Sequence, residues 1–396
     1  MTDHLFKLNN VIQNYVWGSD SSIHYLFNIP NPDQLPQAEL WMGAHPSGCS
    51  KNQQGTLLSQ IIDQDPATAL GAYTQKRYAG LPFLLKILAA EKPLSIQVHP
   101  SKTMAEQGFK LENAQNIPVD APSRNYKDAN HKPELVYAVT FYQAMNGFRE
   151  IEEIISLFEQ ADCQTLSGLL EQLKAEPGAE QLQNFFAAIM NMNAAQKAMA
   201  VHELIENLDK KARTHKGKEA FQLIAQFYLD YPDDIGLFSP LLLNIIELAP
   251  GEAMFLDAQT PHAYIHGTGI EIMASSDNVL RAGLTPKHID VDELIKNTKF
   301  QPSTFTELKL KAQCIDHKKV FHVPVDDFNF EVHSVSSQGH SEFVRSPEIL
   351  LCLEGNITIS TAQQSIELQR GESVFICAAA HTYQCRGEGQ FVRAFN

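Results

Sequence analysis

The chain has 396 residues, 44% hydrophobic and 19% charged, and its 46 acidic and 31 basic residues give a net charge of −15. This length and composition are typical of a globular protein with two or three domains, and they exclude a chain that is disordered throughout. The acidic balance disfavours nucleic acids and anionic membranes as partners, because both require a basic surface.

The N-terminal segment Met1–Lys7 lacks a basic region followed by an apolar one, and no later stretch approaches about eighteen uncharged apolar residues. We therefore expect no signal peptide and no membrane span. The six cysteines are scattered without a Cys-x-x-Cys pair, which argues against a disulfide framework and against a thiolate zinc site. We expect a cytoplasmic protein.

The first 150 residues or so alternate short apolar runs with proline, glycine and asparagine, which predicts strands and loops. Leu81–Ala90 fits either a helix or a buried strand. From Glu150 to about Asp230, apolar residues recur at a spacing near 3.6, which predicts four or five amphipathic helices. A turn is expected near Thr214–Lys218. The rest of the chain returns to strand-like segments.

An internal repeat links the two strand-rich regions. Ile246–Leu256 and Ile366–Ile376 are identical at six of eleven positions, at an offset of 120 residues. Each copy reads as strand, glycine turn and strand, and each is followed by a histidine, His262 or His381. This pattern is typical of a cupin-type β-barrel, and its occurrence twice predicts two jelly rolls.

We therefore predict a mainly β chain with an α-helical insertion, consisting of two cupin-type jelly-roll barrels plus a helical domain. The expected domains are a discontinuous first β domain, a helical domain and a C-terminal jelly roll, over residues 1–149 with 236–319, 150–235 and 320–396 respectively.

A short strand is predicted over Ile96–Val98, bounded by Pro93 and Pro100. Gln97 lies within this strand, and His99 follows it directly. Because successive side chains of a strand point to opposite faces, these two residues share one face. An amide oxygen beside an imidazole is half of a metal site, although a lone Gln-x-His is more often a packing feature.

Glu134 and His262 would complete that site. One amide, one carboxylate and two imidazoles suit zinc, with manganese, iron or cobalt as alternatives. A single carboxylate leaves a divalent ion with a net charge of +1, which can stabilise a developing oxyanion. The second repeat has no Gln-x-His and no matching glutamate upstream, so we expect the metal site in the first barrel alone.

Three cations stand where a solvated surface charge is unusual. Lys86 lies within Leu84–Leu88, Lys132 lies two residues before Glu134, and Arg281 lies between an apolar pair and a glycine. Together they could hold a dianionic phosphate. The alternative for Arg281 is a buried ion pair with an acid such as Glu271.

Six segments of the chain together resemble the type I mannose-6-phosphate isomerases: Gln13–Gly18, Ala38–Gly48, Ser95–Lys102, His131–Leu135, Thr260–Tyr264 and Ser276–Lys287. The match runs from the first twenty residues to about residue 300, and the C-terminal hundred residues match only loosely. The resemblance implies one zinc ion bound by the four residues already singled out, Gln97, His99, Glu134 and His262. It also implies that Arg281 is catalytic, and it places Glu271 and Lys287 around the same pocket.

The reaction that this resemblance implies interconverts mannose 6-phosphate and fructose 6-phosphate. After ring opening, a base moves the proton of carbon 2 to carbon 1 through a cis-enediol. The base stays open among four side chains: Glu271, His131, Lys86 and Lys132. Substrate binding is assigned to the basic groups Lys86, Lys132, Arg281 and Lys287. We expect a monomer whose partner is a phosphorylated hexose, and related aldose phosphates remain possible substrates.

Two other interpretations stay open. One is an iron-dependent cupin oxygenase, which would require a more histidine-rich ligand set than an amide with several nearby cations. The other is a metal-free cupin module that binds or senses sugar phosphates.

Overall fold

The structure is a computed structural model that describes residues 3–208 and 214–396. Its strands are β1 (Leu5–Asn9), β2 (Val11–Gln13), β3 (Glu39–Met42), β4 (Lys51–Asn52), β5 (Phe83–Ala90), β6 (Ile96–Val98), β7 (Glu134–Ala138), β8 (Tyr142–Phe148), β9 (Leu243–Leu248), β10 (Ala253–Leu256), β11 (His262–Ala274), β12 (Leu280–Gly283), β13 (Lys309–Leu310), β14 (Gln313–Ile315), β15 (Lys318–Phe321), β16 (Asn329–Val335), β17 (His340–Phe343), β18 (Glu348–Ser360), β19 (Ser365–Gln369), β20 (Ser373–Ile376) and β21 (Thr382–Phe395).

The α-helices are α1 (Ser22–Phe27), α2 (Leu58–Gln64), α3 (Pro66–Tyr78), α4 (Lys102–Ala114), α5 (Ile151–Ala161), α6 (Ser167–Ala175), α7 (Ala179–Met190), α8 (Ala194–Glu206), α9 (His215–Asp230), α10 (Ser239–Leu242), α11 (Val291–Lys296) and α12 (Phe305–Leu308). Short 3-10 helices cover Gln164–Leu166, Ile235–Phe238 and Ala378–Ala380. No helix of the described chain is both long enough and apolar enough to cross a membrane.

The strands form two antiparallel sheets, which we call the first and second sheets. The first contains β2, β3 and β5 to β13. Its organiser is β11, a strand of 13 residues. The start of β11 pairs with β6 and β8, and its second half pairs with β5 and β7. One long strand therefore links the two parts of this sheet.

The second sheet contains β14 to β21 together with β1 and β4. The first strand of the chain thus lies in the sheet of the last strands, where Leu5 is in register with Ile376. Among the described strands, neither sheet order closes on itself. The mainly β architecture with a helical insertion confirms the predicted fold class, but the sheets do not form closed barrels.

The internal repeat forms the same turn in both sheets. The β9–β10 and β19–β20 connections each place a glycine, Gly251 or Gly371, in the left-handed region, at φ 91° and 82°. In each turn the following glutamate, Glu252 or Glu372, accepts a hydrogen bond of 2.8 Å from a backbone N–H three residues earlier. The shared sequence pattern therefore encodes a shared strand–turn–strand unit.

Five helices, α5 to α9, form the insertion and confirm the predicted helical block. Their apolar faces enclose a core that also includes Ile96 and Val98 of β6. The predicted turn at 214–218 is wrong, because Thr214 caps α9 by accepting a hydrogen bond from the Gly217 N–H at 3.1 Å. The polar residues there form the first turn of a helix.

The ambiguous segment Leu81–Ala90 contains β5, which is buried along its whole length. It pairs with β3 on one side and β11 on the other. A central strand covered on both faces has a continuous apolar run, which hides the alternation that identifies a half-buried strand.

One core joins the two sheets. Tyr137 of β7 contacts Phe321 and Phe330 of the second sheet, with ring centroids 5.8 Å apart in both pairs. Phe330 is fully buried, whereas Phe343 in the same sheet is 72% exposed. The second sheet therefore packs against one face of the first sheet.

We predict that Phe330→Ala lowers the free energy of unfolding by about 3–5 kcal/mol, because it leaves a cavity in this shared core. Phe343→Ala, the same change at an exposed position, should cost little. Urea unfolding followed by circular dichroism measures both. Equal midpoints for the two variants would contradict the shared core.

Candidate metal centre and cavity

Three neighbouring strands place Gln97, His262 and Arg281 in one row. Gln97 of β6 is in register with His262 of β11 and with Arg281 of β12. Directly opposed residues of antiparallel strands carry their side chains on the same face. Ile96 and Val98 point the other way, into the helical core, as the sequence alternation requires.

His99 follows β6 and is buried. Its Nδ1 donates to the backbone carbonyl of Asn278 at 2.7 Å, so Nε2 keeps its lone pair. That Nε2 lies 3.2 Å from Glu134 Oε1. It nevertheless forms no hydrogen bond with any group of the described chain. Burial, reinforced by the charge of Lys132, lowers the pKa of His99 to about 4. The ring is neutral and its free lone pair is buried.

His262, at the start of β11, is held in the same way. Its Nδ1 donates to the Thr260 carbonyl at 2.9 Å, and its Nε2 lies 3.6 Å from Glu134 Oε2. Burial lowers the pKa of His262 as well. The rings of His99 and His262 are 4.9 Å apart between centroids, so two neutral imidazoles face one carboxylate.

Glu134 is the carboxylate between these rings, and it is 2% exposed. Lys132 Nζ lies 3.2 Å from its Oε1, and the Tyr264 hydroxyl donates to its Oε2 at 2.6 Å. Burial opposes ionisation, but the charge of Lys132 outweighs it and holds the pKa of Glu134 well below its usual value. Glu134 is therefore a charged candidate ligand that is already oriented.

These residues fit a zinc ion. One ligand atom from each of His99, Glu134 and His262 lies within 4.8 Å of the others, and Gln97 lies opposite His262 in the same row. Tetrahedral zinc, with bonds near 2 Å, needs ligand atoms about 3.3 Å apart. The bare Nε2 of His99 has the orientation that a ligand nitrogen requires.

The Asn278 side chain fixes the loop beside the centre. Asn278 is fully buried, and its amide nitrogen donates to the carbonyls of Asp128 and Asn130 at 2.9 and 2.8 Å. Its amide oxygen accepts from the Lys127 N–H at 2.7 Å. Since its own carbonyl orients His99, Asn278 couples that loop to the metal ligands.

A second buried charge pair lies beside the centre. Lys86 Nζ is 2.9 Å from Glu271 Oε2 and 3.8 Å from Glu39 Oε2. Burial disfavours the ammonium, but Glu271 and Glu39 outweigh it and raise the pKa of Lys86. Burial also raises the pKa of Glu271. The Tyr264 hydroxyl lies 2.9 Å from Glu271 Oε1, so this tyrosine joins Glu271 to Glu134.

Both groups border one cavity of about 1030 Å³. The sequence-predicted site residues that line it are Lys86, Gln97, Lys132, Glu134, His262, Glu271, Arg281 and Lys287. His99 lies against Glu134 and completes the metal centre without lining the cavity.

One wall of the cavity is positively charged. Partial burial, followed by the charges of Arg281 and Lys127, lowers the pKa of Lys287. In the part of the chain that the structure describes, none of these three cations forms an ion pair with an acid. Arg281 therefore does not pair with Glu271, whose partner is Lys86. Unpartnered cations in a cavity suit an anionic ligand.

Comparison with known proteins agrees with this geometry. The family description "Phosphomannose isomerase type I, catalytic domain" matches residues 5–151, and the helical insertion domain of that family matches residues 149–243. The description "Mannose-6-phosphate isomerase, cupin domain" matches residues 317–396. The mannose-6-phosphate isomerase of Escherichia coli K12 is 45% identical over 397 residues, which cover 98% of this chain and 99% of the relative. The chain belongs to the type I phosphomannose isomerases.

More distant relatives extend the match. The human mannose-6-phosphate isomerase is 35% identical and covers 94% of this chain, with 93% of its own length matched. A crystal structure of the Salmonella typhimurium mannose 6-phosphate isomerase, bound to substrate (F6P) and zinc, is 44% identical. It superposes with a TM-score of 0.93 over 100% of both chains.

One of the predicted site residues does not reach the cavity. His131, a predicted catalytic base, pairs through Nε2 with Asp327 Oδ2 at 2.9 Å and does not line the cavity. Asp327 comes from the segment before β16, so His131 joins the two sheets. The geometry therefore favours the other candidate bases, all of which line the cavity.

The cavity residues that sequence reasoning missed include Lys127, Tyr264 and Glu39. Tyr264 follows His262 by two on β11, so alternation along the strand would have placed both on one face. Lys127 lies in a polar loop, and one aromatic neighbour, Tyr126, is not enough to mark it as unusual. Glu39 lies on β3, whose pairing beside Lys86 only the fold reveals.

We predict that His262→Ala loses one equivalent of tightly bound zinc, because it removes an imidazole from the centre. His266→Ala is the matched control, since His266 lies on the same strand but is exposed. Elemental analysis of protein purified without added metal measures both. Full zinc retention in the His262→Ala variant would contradict this ligand assignment.

Proposed function

We propose that this chain is a zinc-dependent aldose–ketose isomerase that interconverts mannose 6-phosphate and fructose 6-phosphate. The observation that carries the proposal is one cavity that combines a two-histidine, one-carboxylate centre with unpartnered cations. Full-length relatives named mannose-6-phosphate isomerase support it, and so does the relative bound to F6P and zinc.

The metal ligands proposed are Gln97, His99, Glu134 and His262. When bound, zinc supplies a Lewis acid that stabilises negative charge on the substrate oxygens. Glu134 is the single charged ligand of this set, so the centre keeps a net charge of +1. Lys132 lies 3.2 Å from Glu134 and holds that carboxylate ionised.

The phosphate of the substrate is bound by Lys127 and Lys287 in this proposal. Both line the cavity and neither has an acidic partner among residues 3–208 and 214–396. The chain as a whole is strongly acidic and repels a dianion at long range, so these local cations are needed to reverse the field inside the cavity. Binding the remote phosphate aligns the reacting carbons with the metal centre.

Arg281 acts as the electrophile that stabilises the enediolate. It shares the row of Gln97 and His262, so its guanidinium faces the same side of the sheet as the metal ligands. Its five N–H donors suit an oxygen pair that gains charge as the proton leaves carbon 2.

Glu271 is the proposed general base. It takes the carbon 2 proton and returns it to carbon 1, while the hydroxyl proton of oxygen 2 passes to oxygen 1, so that atoms and charge balance over the cycle. Lys86 and Tyr264 fix its two oxygens, and burial raises its pKa toward the range useful for proton transfer. Lys132 is the less suitable base because it is paired with Glu134.

The proposed domains are residues 1–149 with 236–319 for catalysis, 150–235 for the helical insertion and 320–396 for the C-terminal jelly roll. The helical insertion packs against Ile96 and Val98, on the side of β6 opposite Gln97. This contact supports a structural role for the insertion, which is to hold the strand that carries a proposed metal ligand.

One chain supplies all the proposed site residues, which supports a monomer. Six unpaired cysteines support a reducing compartment such as the cytoplasm.

Arg281→Ala should lower kcat by on the order of a hundredfold, about 3 kcal/mol, while zinc content stays unchanged. A coupled assay that starts from mannose 6-phosphate measures the rate, and elemental analysis measures the metal. Lys287→Ala is the comparison variant and should mainly raise KM, because it removes a cation that binds phosphate. A parallel loss of zinc and turnover in Arg281→Ala would make Arg281 structural.

Glu271→Gln should lower kcat by about 10²- to 10⁴-fold, because it removes the base while nearly preserving shape. It should also abolish exchange of the carbon 2 hydrogen with solvent deuterium. Glu39→Gln is the matched control, since Glu39 also lies beside Lys86 but moves no proton. Undiminished exchange in Glu271→Gln would assign the base elsewhere, with Lys132 as the next candidate.

A further inference from the structure

A second group of metal-binding side chains lies in the second sheet, remote in sequence from the first centre. One ligand atom from each member lies within 4.8 Å of the others. The four members are His317, His333, His340 and Glu342.

The fold assembles this group from a turn and two strands. His317 lies in the turn between β14 and β15, and the following residue, Lys318, is in register with His333 of β16. His340 and Glu342 lie two apart on β17, so they share a face. Both β16 and β17 pair with β21, which holds the two strands together.

The distances inside the group are those of a metal site. His317 Nε2 lies 2.9 Å from Glu342 Oε1, and His333 Nδ1 lies 3.4 Å from His340 Nε2. His333 Nδ1 is also 3.8 Å from Glu342 Oε1. A tetrahedral zinc ion with bonds near 2 Å requires ligand separations of about 3.3 Å, so small shifts of these side chains would suffice.

Neighbouring groups orient the ligand atoms inward. His333 Nε2 lies 2.8 Å from Glu331 Oε2, which leaves Nδ1 facing the group. A carboxylate that accepts the second N–H of a histidine is the usual partner of a metal ligand. Glu342 accepts hydrogen bonds at Oε2 from Arg393 and Lys318, at 3.0 and 3.3 Å, which leaves Oε1 for the ion.

The surrounding charge leaves room for a cation. Among the described residues, the carboxylates of Glu331, Glu342 and Glu348 form ion pairs with two cations, Arg393 and Lys318.

Two of the imidazoles, those of His333 and His340, have lowered pKa values. Burial, followed by the neighbouring His317 and His333, lowers the pKa of His340 to about 4. Burial lowers the pKa of His333 too. Neutral imidazoles are the form that binds metal.

We propose that these four side chains form a second zinc site with a structural role. Four protein ligands close the coordination sphere, as in structural rather than catalytic zinc sites. The ion would crosslink the β14–β15 turn to strands β16 and β17 of the second sheet. The sequence pattern predicts metal in the first barrel alone, because the second repeat lacks the Gln-x-His pattern. This group lies outside that repeat.

The test counts zinc in the full-length protein after removal of metal and re-equilibration with zinc alone, with elemental analysis as the readout. Wild type should hold two equivalents, while His317→Ala and His340→Ala should each hold one and keep isomerase activity. His317 is 31% exposed in a turn, so its replacement should not prevent folding. His322→Ala, at an exposed position just after β15, is the matched control and should hold two.

A His262→Ala background separates this proposal from the first centre. The His262→Ala variant should still hold one equivalent of zinc, and this zinc should be lost when His317→Ala is combined with it. Zinc should also raise the melting temperature of His262→Ala but not that of the double variant. If His262→Ala holds no zinc, or if His317→Ala does not change its content, the group is a hydrogen-bonded network only and the proposal fails.

Discussion

The site depends on one buried carboxylate. Glu134 is almost fully buried, and an isolated charge in that position would be strongly destabilising. Lys132, Tyr264 and two neutral imidazoles surround it. Lys132 and Tyr264 keep the carboxylate ionised and oriented, while the Nε2 atom of His99 has no hydrogen-bond partner among the described residues. The carboxylate and the imidazole lone pairs therefore converge as the donor set that a divalent ion requires.

Strand register places the proposed catalytic side chains beside this centre. The register of β6, β11 and β12 places Gln97, His262 and Arg281 side by side, and β11 continues to Glu271 beside Lys86 of β5. A slip of one residue would turn Gln97, His262 and Arg281 to the helical core, and it would turn Glu271 and Lys86 to the core shared with the second sheet. The apolar contacts of Ile96 and Val98 with that core oppose such a slip. The helical insertion thus contributes to the site without touching it.

Local patterns in the sequence predicted the elements that alternate clearly, such as Ile96–Val98, and the helices of the insertion. They could not decide Leu81–Ala90, because burial on both faces removes the periodic signal. The same patterns predicted the four candidate metal ligands together, but they did not single out Lys127 or Tyr264 as site residues. His131 was misplaced because its partner, Asp327, lies about two hundred residues away and only the fold brings them together. The histidine group of the second sheet was missed although its members are close in sequence, because only the common pairing of β16 and β17 with β21 shows that their strands lie together.

The most direct test of the account is turnover of mannose 6-phosphate by protein stripped of metal with a chelator, with removal confirmed by elemental analysis. The account predicts that isomerisation falls to the background rate and returns when zinc is restored. Full turnover in the stripped protein would contradict it, because the residues around Glu134 would then serve a purpose other than holding a catalytic ion.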